Sequence, residues 1–360
     1  MNYGEYHHSL NRFDRENFEK IIRDSRRFPE VSQEREMGKI KYEYRDKEYA
    51  VKSKIRAVQS RNEFQNLSVI DEILLRFYGR FGLTLNKIMR FTNNKLTLWI
   101  SNIAKKDFQN YTKKLFKYLD LETYKDVLIA NKSNTFRCLK VQEGIFSISI
   151  INYLDQLITN HRSEHINTDY FYRIAFAKKN RYVTQEEASK IPLNRGNIIK
   201  LGNVVMDRTL TSVGNDLQSV LFRYSHKGQS ATLKYFDKDS ENQEEILYVI
   251  KNNEKLNYMD IAGFKLNKPE INVNGRFELD PNNELLKGQD EFSSGELIIP
   301  SHTPFRVVGI QKMDRTMNRR VVLLEPMKLE DINQTDIVQN NFNGEPFSSN
   351  GKFNLEEFTA

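Results

Sequence analysis

From about Tyr170 onward the chain consists of short runs of β-branched, aromatic and apolar residues: YFYRIAFA, NIIKLGNVVM, EILYVIKN, GELIIP, FRVVGIQ and RRVVLLEP. Gly, Pro and Asn turns separate them, so each run has the length and composition of a strand and this half of the chain must be organised by a sheet. Upstream of His161 the period is different. Phe64, Leu67, Ile70, Ile73, Leu74 and Phe77 recur at helical spacing and predict a helix over residues 62–78. Residues 107–130 read as one or two amphipathic helices, residues 148–160 as another, and the charged leader predicts a helix around Arg15 to Arg26. Helices followed by strands define an α+β chain with a helical N-terminal part and a sheet-rich back.

Smaller features complete the organisation. In KIKYEYRDKEYAVKSKI, residues 39–55, tyrosines alternate with charged residues on both sides of Arg45, Asp46 and Lys47. That pattern suits a two-stranded ribbon with one aromatic and one basic face. Asn93 and Asn94 mark a turn before a short strand, KLTLWIS, and the final NNFNGEPFSSNGKFNLEEFTA is polar with few packing residues. We expect an accessory region over 1–100, a main domain over 101–337 whose sheet core starts at about 165, and a polar tail over 338–360.

Composition excludes several classes. With 39% hydrophobic and 29% charged residues among 360, the sequence is that of a globular protein, and no stretch approaches the roughly 18 apolar residues of a membrane span. The first 30 residues are polar and charged, so we expect no secretory or transit segment, synthesis in the cytoplasm, and any delivery elsewhere without a signal peptide. A net charge of +7 favours an acidic partner, whether nucleic acid or an acidic protein face. Cys138 is the single cysteine, which rules out an intramolecular disulfide and a cysteine-built zinc site. His161 and His165 lie in HRSEH, which lacks the glutamate placement of the zinc-protease helix motif. No Walker loop, GxGxxG or GxSxG is present. We expect no metal.

Three of the strand-like segments carry polar residues in a telling order. The first holds Tyr172 and Arg173; the second, LGNVVMDRTLTSVGND, holds Gly202, Val204, Val205, Asp207, Thr211 and Ser212. The third, GELIIPSHTPFRV, holds Glu296, Leu297, Ile298, Ile299, Pro300, Thr303, Phe305, Arg306 and Val307. Judged alone, Glu296 is a solvated gatekeeper, Arg173 an exposed strand residue and Ser212 a turn residue. Together they resemble the Arg-Ser-Glu pattern of mono-ADP-ribosyltransferases, the clade of clostridial toxins and their vertebrate relatives. The resemblance covers about residues 165 to 326. It implies a split β-sheet domain, NAD+ as co-substrate without a metal, and transfer of ADP-ribose to a macromolecule with release of nicotinamide.

The chemistry the resemblance implies accounts for the residue types. Breaking the bond between nicotinamide and ribose develops positive charge at the anomeric carbon, as in glycoside cleavage. Glu296 at a strand mouth would stabilise that charge and hold the ribose hydroxyls. Arg173 would bind the diphosphate and adjoining ribose, since a guanidinium offers several fixed donors. Ser212, with Thr211 beside it, would keep the glutamate and the sugar in register. Arg195, in LNRGN, is the rival arginine, but it lies too close to Ser212 for the usual intervening helix. Asn197 and Asn203 serve equally as ligand neighbours or turn formers.

The sequence departs from the pattern where the acceptor is chosen. Ser212 is followed by Val213 and Gly214 where relatives continue Thr-Ser, and Ile174 follows Arg173 where many have Gly. Two positions before the glutamate, Ser294 replaces the usual Glu or Gln, and Phe292 in the same turn is an aromatic candidate for contact with the acceptor. Relatives with this order are frequently toxins. The resemblance therefore suggests an effector, or a toxin of a toxin–antitoxin or phage-defence locus with an antitoxin or immunity protein as partner. Protein is the favoured acceptor, with RNA or DNA as the alternative. A separate class, a non-catalytic nucleic-acid-binding protein, would use Tyr42, Tyr44 and Tyr49 on the basic ribbon.

Overall fold

The computed structural model describes residues 5–26, 56, 59–60, 62–68, 71–72, 74–75, 78–79, 86, 151–191, 197–217, 220–221, 243–264, 296–313, 319–333 and 335–340. The predicted ribbon, the strand KLTLWIS and the helices over 107–130 lie outside these residues, as do Cys138, Arg195, Phe292 and Ser294. The strands in chain order are β1 (Glu5–Tyr6), β2 (Tyr170–Lys178), β3 (Tyr182–Val183), β4 (Ile199–Lys200), β5 (Val204–Met206) and β6 (Thr211–Val213). They continue as β7 (Gln243–Lys251), β8 (Met259–Asp260), β9 (Leu297–Ile299), β10 (Phe305–Lys312), β11 (Arg319–Pro326) and β12 (Val338–Asn340). The chain divides into two compact units, one of residues 1–52, 166–258 and 295–360, the other of residues 53–165 and 259–294.

The first unit is built on a mixed sheet in the order β12-β5-β10-β11-β7-β2, with β1 added to β10. β11 runs parallel to β7 and β12 parallel to β5, while β10 is antiparallel to β5, β11 and β1. Val338–Asn340, the start of the stretch read as a polar tail, is thus a strand of the sheet. The expected run NIIKLGNVVM is two strands, because Gly202 takes a φ of 85° and the Asn203 side chain accepts the Lys200 N–H at 2.7 Å. Asn203 is therefore a turn former.

Period-two alternation gives the sheet two apolar faces. Phe171, Ile246, Tyr248, Ile250, Val322 and Leu324 pack on one side with Val213 of β6 and Leu297 and Ile299 of β9. Tyr170, Leu247, Val249, Val321 and Leu323 pack on the other with helix α1 (Arg12–Ser25). Asn11 caps that helix by accepting the Asp14 N–H at 2.8 Å, and Phe18, Ile21 and Ile22 form its buried stripe. Phe18 comes so close to the sheet that a Cβ on Gly309 would lie 3.1 Å from its ring. Asp14 also accepts from the Tyr170 hydroxyl and Lys251, each at 2.8 Å, tying the helix start to the sheet end.

At the opposite end of β7 and β11 the sheet buries ion pairs. Arg319 pairs with Glu245, and Arg320 with Glu244 at 3.2 Å and Glu187 at 2.6 Å. Glu187 also closes a capping box with Thr184 at the start of the short helix Gln185–Lys190.

In the second unit the predicted helix over residues 62–78 is interrupted. Residues 64–66 form a turn, and Asp71 and Glu72 are helical again; the Ser68 hydroxyl accepts the Asp71 N–H at 3.2 Å and the Asp71 carboxylate accepts the Ser68 N–H at 2.8 Å. One reciprocal polar cap thus outweighs the continuous apolar period. Residues 151–160 are helical, as the period predicts. Asp260 of β8 is fully buried and accepts from Arg56 at 2.7 Å, His165 at 3.0 Å and the Ala262 N–H at 2.9 Å. His165 pairs through its other ring nitrogen with Glu63 at 2.5 Å. Burial opposes the charge on His165, but hydrogen bonds to Asp260 and Glu63 outweigh it and raise the imidazole pKa above its ordinary value.

Candidate active site

Strands β6 and β9 pair antiparallel, with Thr211 opposite Ile299, Ser212 opposite Ile298 and Val213 opposite Leu297. Glu296 immediately precedes β9, and the same register continued by one step would set it against Gly214. Gly214 in turn bridges to β2 by exchanging two backbone hydrogen bonds with Tyr172, both 2.8 Å. Arg173 is the next residue of β2. The chain thus brings Arg173, Ser212 and Glu296 to one junction, where the edge of the large sheet meets the small β6–β9 pair. All three are half-buried.

Strand alternation sorts the side chains at this junction. Ser212 and Glu296 are diagonal neighbours on one face of the β6–β9 pair, a separation of about 7–8 Å between backbones that a glutamate side chain can span. Thr211 falls on the other face with Val213 and is buried. The Tyr172–Gly214 bridge carries the same alternation into β2, so Tyr172 lies on the face of Ser212 and Glu296, and Arg173 on the face of Thr211 and Val213. Burial first, then the charges of Asp216, Asp169 and Asp24, push the Tyr172 phenol up to about 12, which keeps it neutral at physiological pH.

The flanking residues that made these segments distinctive are scaffold. Asp207 accepts from the Thr209 N–H at 3.2 Å and hydroxyl at 3.0 Å, shaping the turn between β5 and β6. Its carbonyl takes the His302 N–H at 2.7 Å, so the turn before Ser212 is fastened to the turn after β9. Thr303 donates to the Pro300 carbonyl at 2.8 Å and closes that second turn. Arg306 forks onto Asp336 with two 3.0 Å bonds and donates to the Gly202 carbonyl at 3.0 Å. Burial of Asp336 opposes its charge, yet the Arg306 fork keeps its carboxyl below the usual range. The Asp207–His302 contact thus ties the start of β6 to the end of β9, and the Arg306 fork ties β10 to the segment before β12.

No protein-family model and no curated protein sequence matches the chain. Among solved structures it is similar to the Vis toxin, an ADP-ribosyltransferase from Vibrio splendidus, at 12% identity, over 84% of this chain and 95% of that one, with a TM-score of 0.45. The ADP-ribosyltransferase Vis in complex with agmatine gives 13% identity, the same coverage and a TM-score of 0.43. At this distance the functional reading rests on the chain's own residues.

Sequence reasoning passed over Tyr248 and Tyr182. Tyr248 is the β7 residue directly opposite Arg173, and its ring meets that of Tyr182 edge-on at 5.7 Å. Among the described residues no group of three or more His, Cys, Asp or Glu could hold a metal ion, and no helix is long and apolar enough to cross a membrane.

Proposed function

We propose that the chain is an NAD+-dependent mono-ADP-ribosyltransferase acting on a macromolecule. The observation that carries this reading is the meeting of Arg173, Ser212 and Glu296 at the Gly214 junction from three separate parts of the sequence. A guanidinium on β2, a hydroxyl on β6 and a carboxylate just before β9 are the groups that a dinucleotide with a reacting ribose requires. Bound NAD+ would supply the ADP-ribosyl group: the bond from ribose to nicotinamide breaks, nicotinamide leaves, and a nucleophile of the acceptor, losing its proton, bonds to the ribose carbon. Glu296 stabilises the positive charge that develops at the ribose and holds its hydroxyls. Arg173 grips the diphosphate, and Ser212 steadies Glu296 by hydrogen bonding.

Ser294 is too short and uncharged to orient a guanidinium by charge-assisted bonds, so the acceptor is placed by a larger surface, with Phe292 as a contact. Protein is the favoured acceptor class and a toxin or effector role the favoured setting; the net charge of +7 keeps RNA or DNA as the second reading. The test is incubation with labelled NAD+ and whole-cell lysate, followed by separate protease and nuclease digestion. Protease-sensitive label supports the first reading and nuclease-sensitive label the second. Absence of label with every lysate, together with no release of nicotinamide, would remove both. Efficient modification of agmatine would overturn the role given to Ser294.

A further inference from the structure

Arg173 has a neighbour that the sequence pattern does not mark. Tyr172 directs its N–H and C=O away from β7, onto Gly214. In an antiparallel ladder this direction alternates, so the N–H and C=O of Arg173 turn towards β7 and meet Tyr248. The two form a hydrogen-bonded pair with Cα atoms about 5.5 Å apart, and paired residues share a face. The Tyr248 ring therefore stands beside the stem of Arg173.

Tyr248 is itself held. It is 3% exposed, and Tyr182, fully buried, packs against it with ring centroids 5.7 Å apart and planes at 73°. Both lie in the apolar cluster between the large sheet and β6–β9, where a phenol costs more to bury than the phenylalanine that would fill the same space. Burial and then the contact with Tyr248 hold the Tyr182 hydroxyl in its neutral form.

We infer that Tyr248, braced by Tyr182, is a positioning residue for Arg173: its ring restricts the arginine stem so that the guanidinium is preset for the dinucleotide diphosphate. The inference rests on the reading of Arg173 as the residue that binds that diphosphate. Immobilising a long side chain ahead of binding removes part of the entropy lost when the ligand arrives.

The experiment measures NAD+ affinity by calorimetry, steady-state kinetics, thermal stability and the NMR relaxation of the Arg173 Nε–Hε group without nucleotide. The variants are Tyr248→Leu, Tyr248→Phe, Arg173→Lys and the Tyr248→Leu/Arg173→Lys pair. Tyr248→Leu is expected to weaken NAD+ binding about five- to tenfold while kcat at saturating NAD+ stays within about twofold. Tyr248→Phe, which keeps the ring, should bind within about twofold of the parent, and the double variant should bind no more weakly than Arg173→Lys alone. Arg173 Nε–Hε should be rigid in the parent and mobile in Tyr248→Leu. If Tyr248→Leu does not fold, Tyr248→Met fills the space with an adaptable side chain and takes its place in every comparison. Unchanged Arg173 mobility, or losses that add in the double variant, would overturn the inference. Should Arg173→Lys leave NAD+ affinity intact, the reading of the site fails instead, and the relaxation data still decide whether Tyr248 fixes Arg173.

Discussion

Tyr172 and Gly214 exchange two 2.8 Å backbone hydrogen bonds, and through this pair β2 reaches the end of β6. Because Arg173 follows Tyr172, and Gly214 and Glu296 flank the last β6–β9 pair, Val213 and Leu297, one backbone contact brings the segments bearing Arg173 and Glu296 together. No side chain of the pair is needed for that contact. The approach of β2 to the β6–β9 pair is therefore set by backbone pairing, which is stiffer than a loop.

Glu296→Gln is the most direct test of the chemistry. The change keeps the shape of the side chain and removes the charge that opposes the developing cation, so turnover is expected to fall about 100-fold or more. NAD+ affinity and melting temperature should be close to those of the parent. Unaltered nicotinamide release by a folded variant would end the assignment.

Arg173→Lys should act mainly on NAD+ binding, because an ammonium cannot reproduce the guanidinium fork. We expect a rise in KM for NAD+ that exceeds any change in kcat. Parallel titration of Arg195→Lys distinguishes the two arginines: a larger NAD+ defect there would transfer the role from Arg173.

Gly309→Ala tests how α1 sits on the sheet. The added methyl would lie 3.1 Å from both the Phe18 ring and the Leu323 Cβ, so one of them must shift. A loss of about 1–3 kcal/mol is expected in denaturant unfolding. Phe18→Leu in the same chain should recover part of it by clearing the ring, whereas additive losses from the two changes would contradict the packing described.

The His165 pairs carry a pH signature. The folded imidazole has a raised pKa, so its contribution is fully present below the unfolded value of about 6.5 and is lost as pH rises through the raised folded value. Glu63 and Asp260 face the ring, and Arg56 shares Asp260 with it. His165→Asn should cost about 3 kcal/mol at mildly acidic pH, and the gap to the parent should narrow as pH rises. Melting curves across pH check this, and a gap that widened with pH would reverse the sign.

Much of the framework around the candidate site is legible in the sequence because its turns act locally. Gly202 needs its positive φ, Asp207 bonds Thr209 two residues on, and Thr303 bonds Pro300 three residues back, so each leaves a turn signature in the text of the chain. The strand runs were readable for the same reason. What escaped depends on partners remote in sequence. Nothing near Tyr248 reveals that it faces Arg173, since that register joins strands separated by the segment between them. The docking of Glu5–Tyr6 on β10 and of Val338–Asn340 on β5 is equally invisible, because such short strands carry no period of their own. The helix predicted over 62–78 failed to a cap, where Ser68 and Asp71 offered the backbone a better local bond than continuation.

The strand order also has a consequence in time. β10 and β11 occupy the middle of the large sheet but are among its last strands to be translated, and among the described strands β5 pairs with β10 and β12. While the chain is still being translated, β2 and β7 can pair, but β5 waits as an open edge. A cell making this protein can therefore close the large sheet only after residues 305–340 have emerged, and an unfinished chain exposes that edge until then.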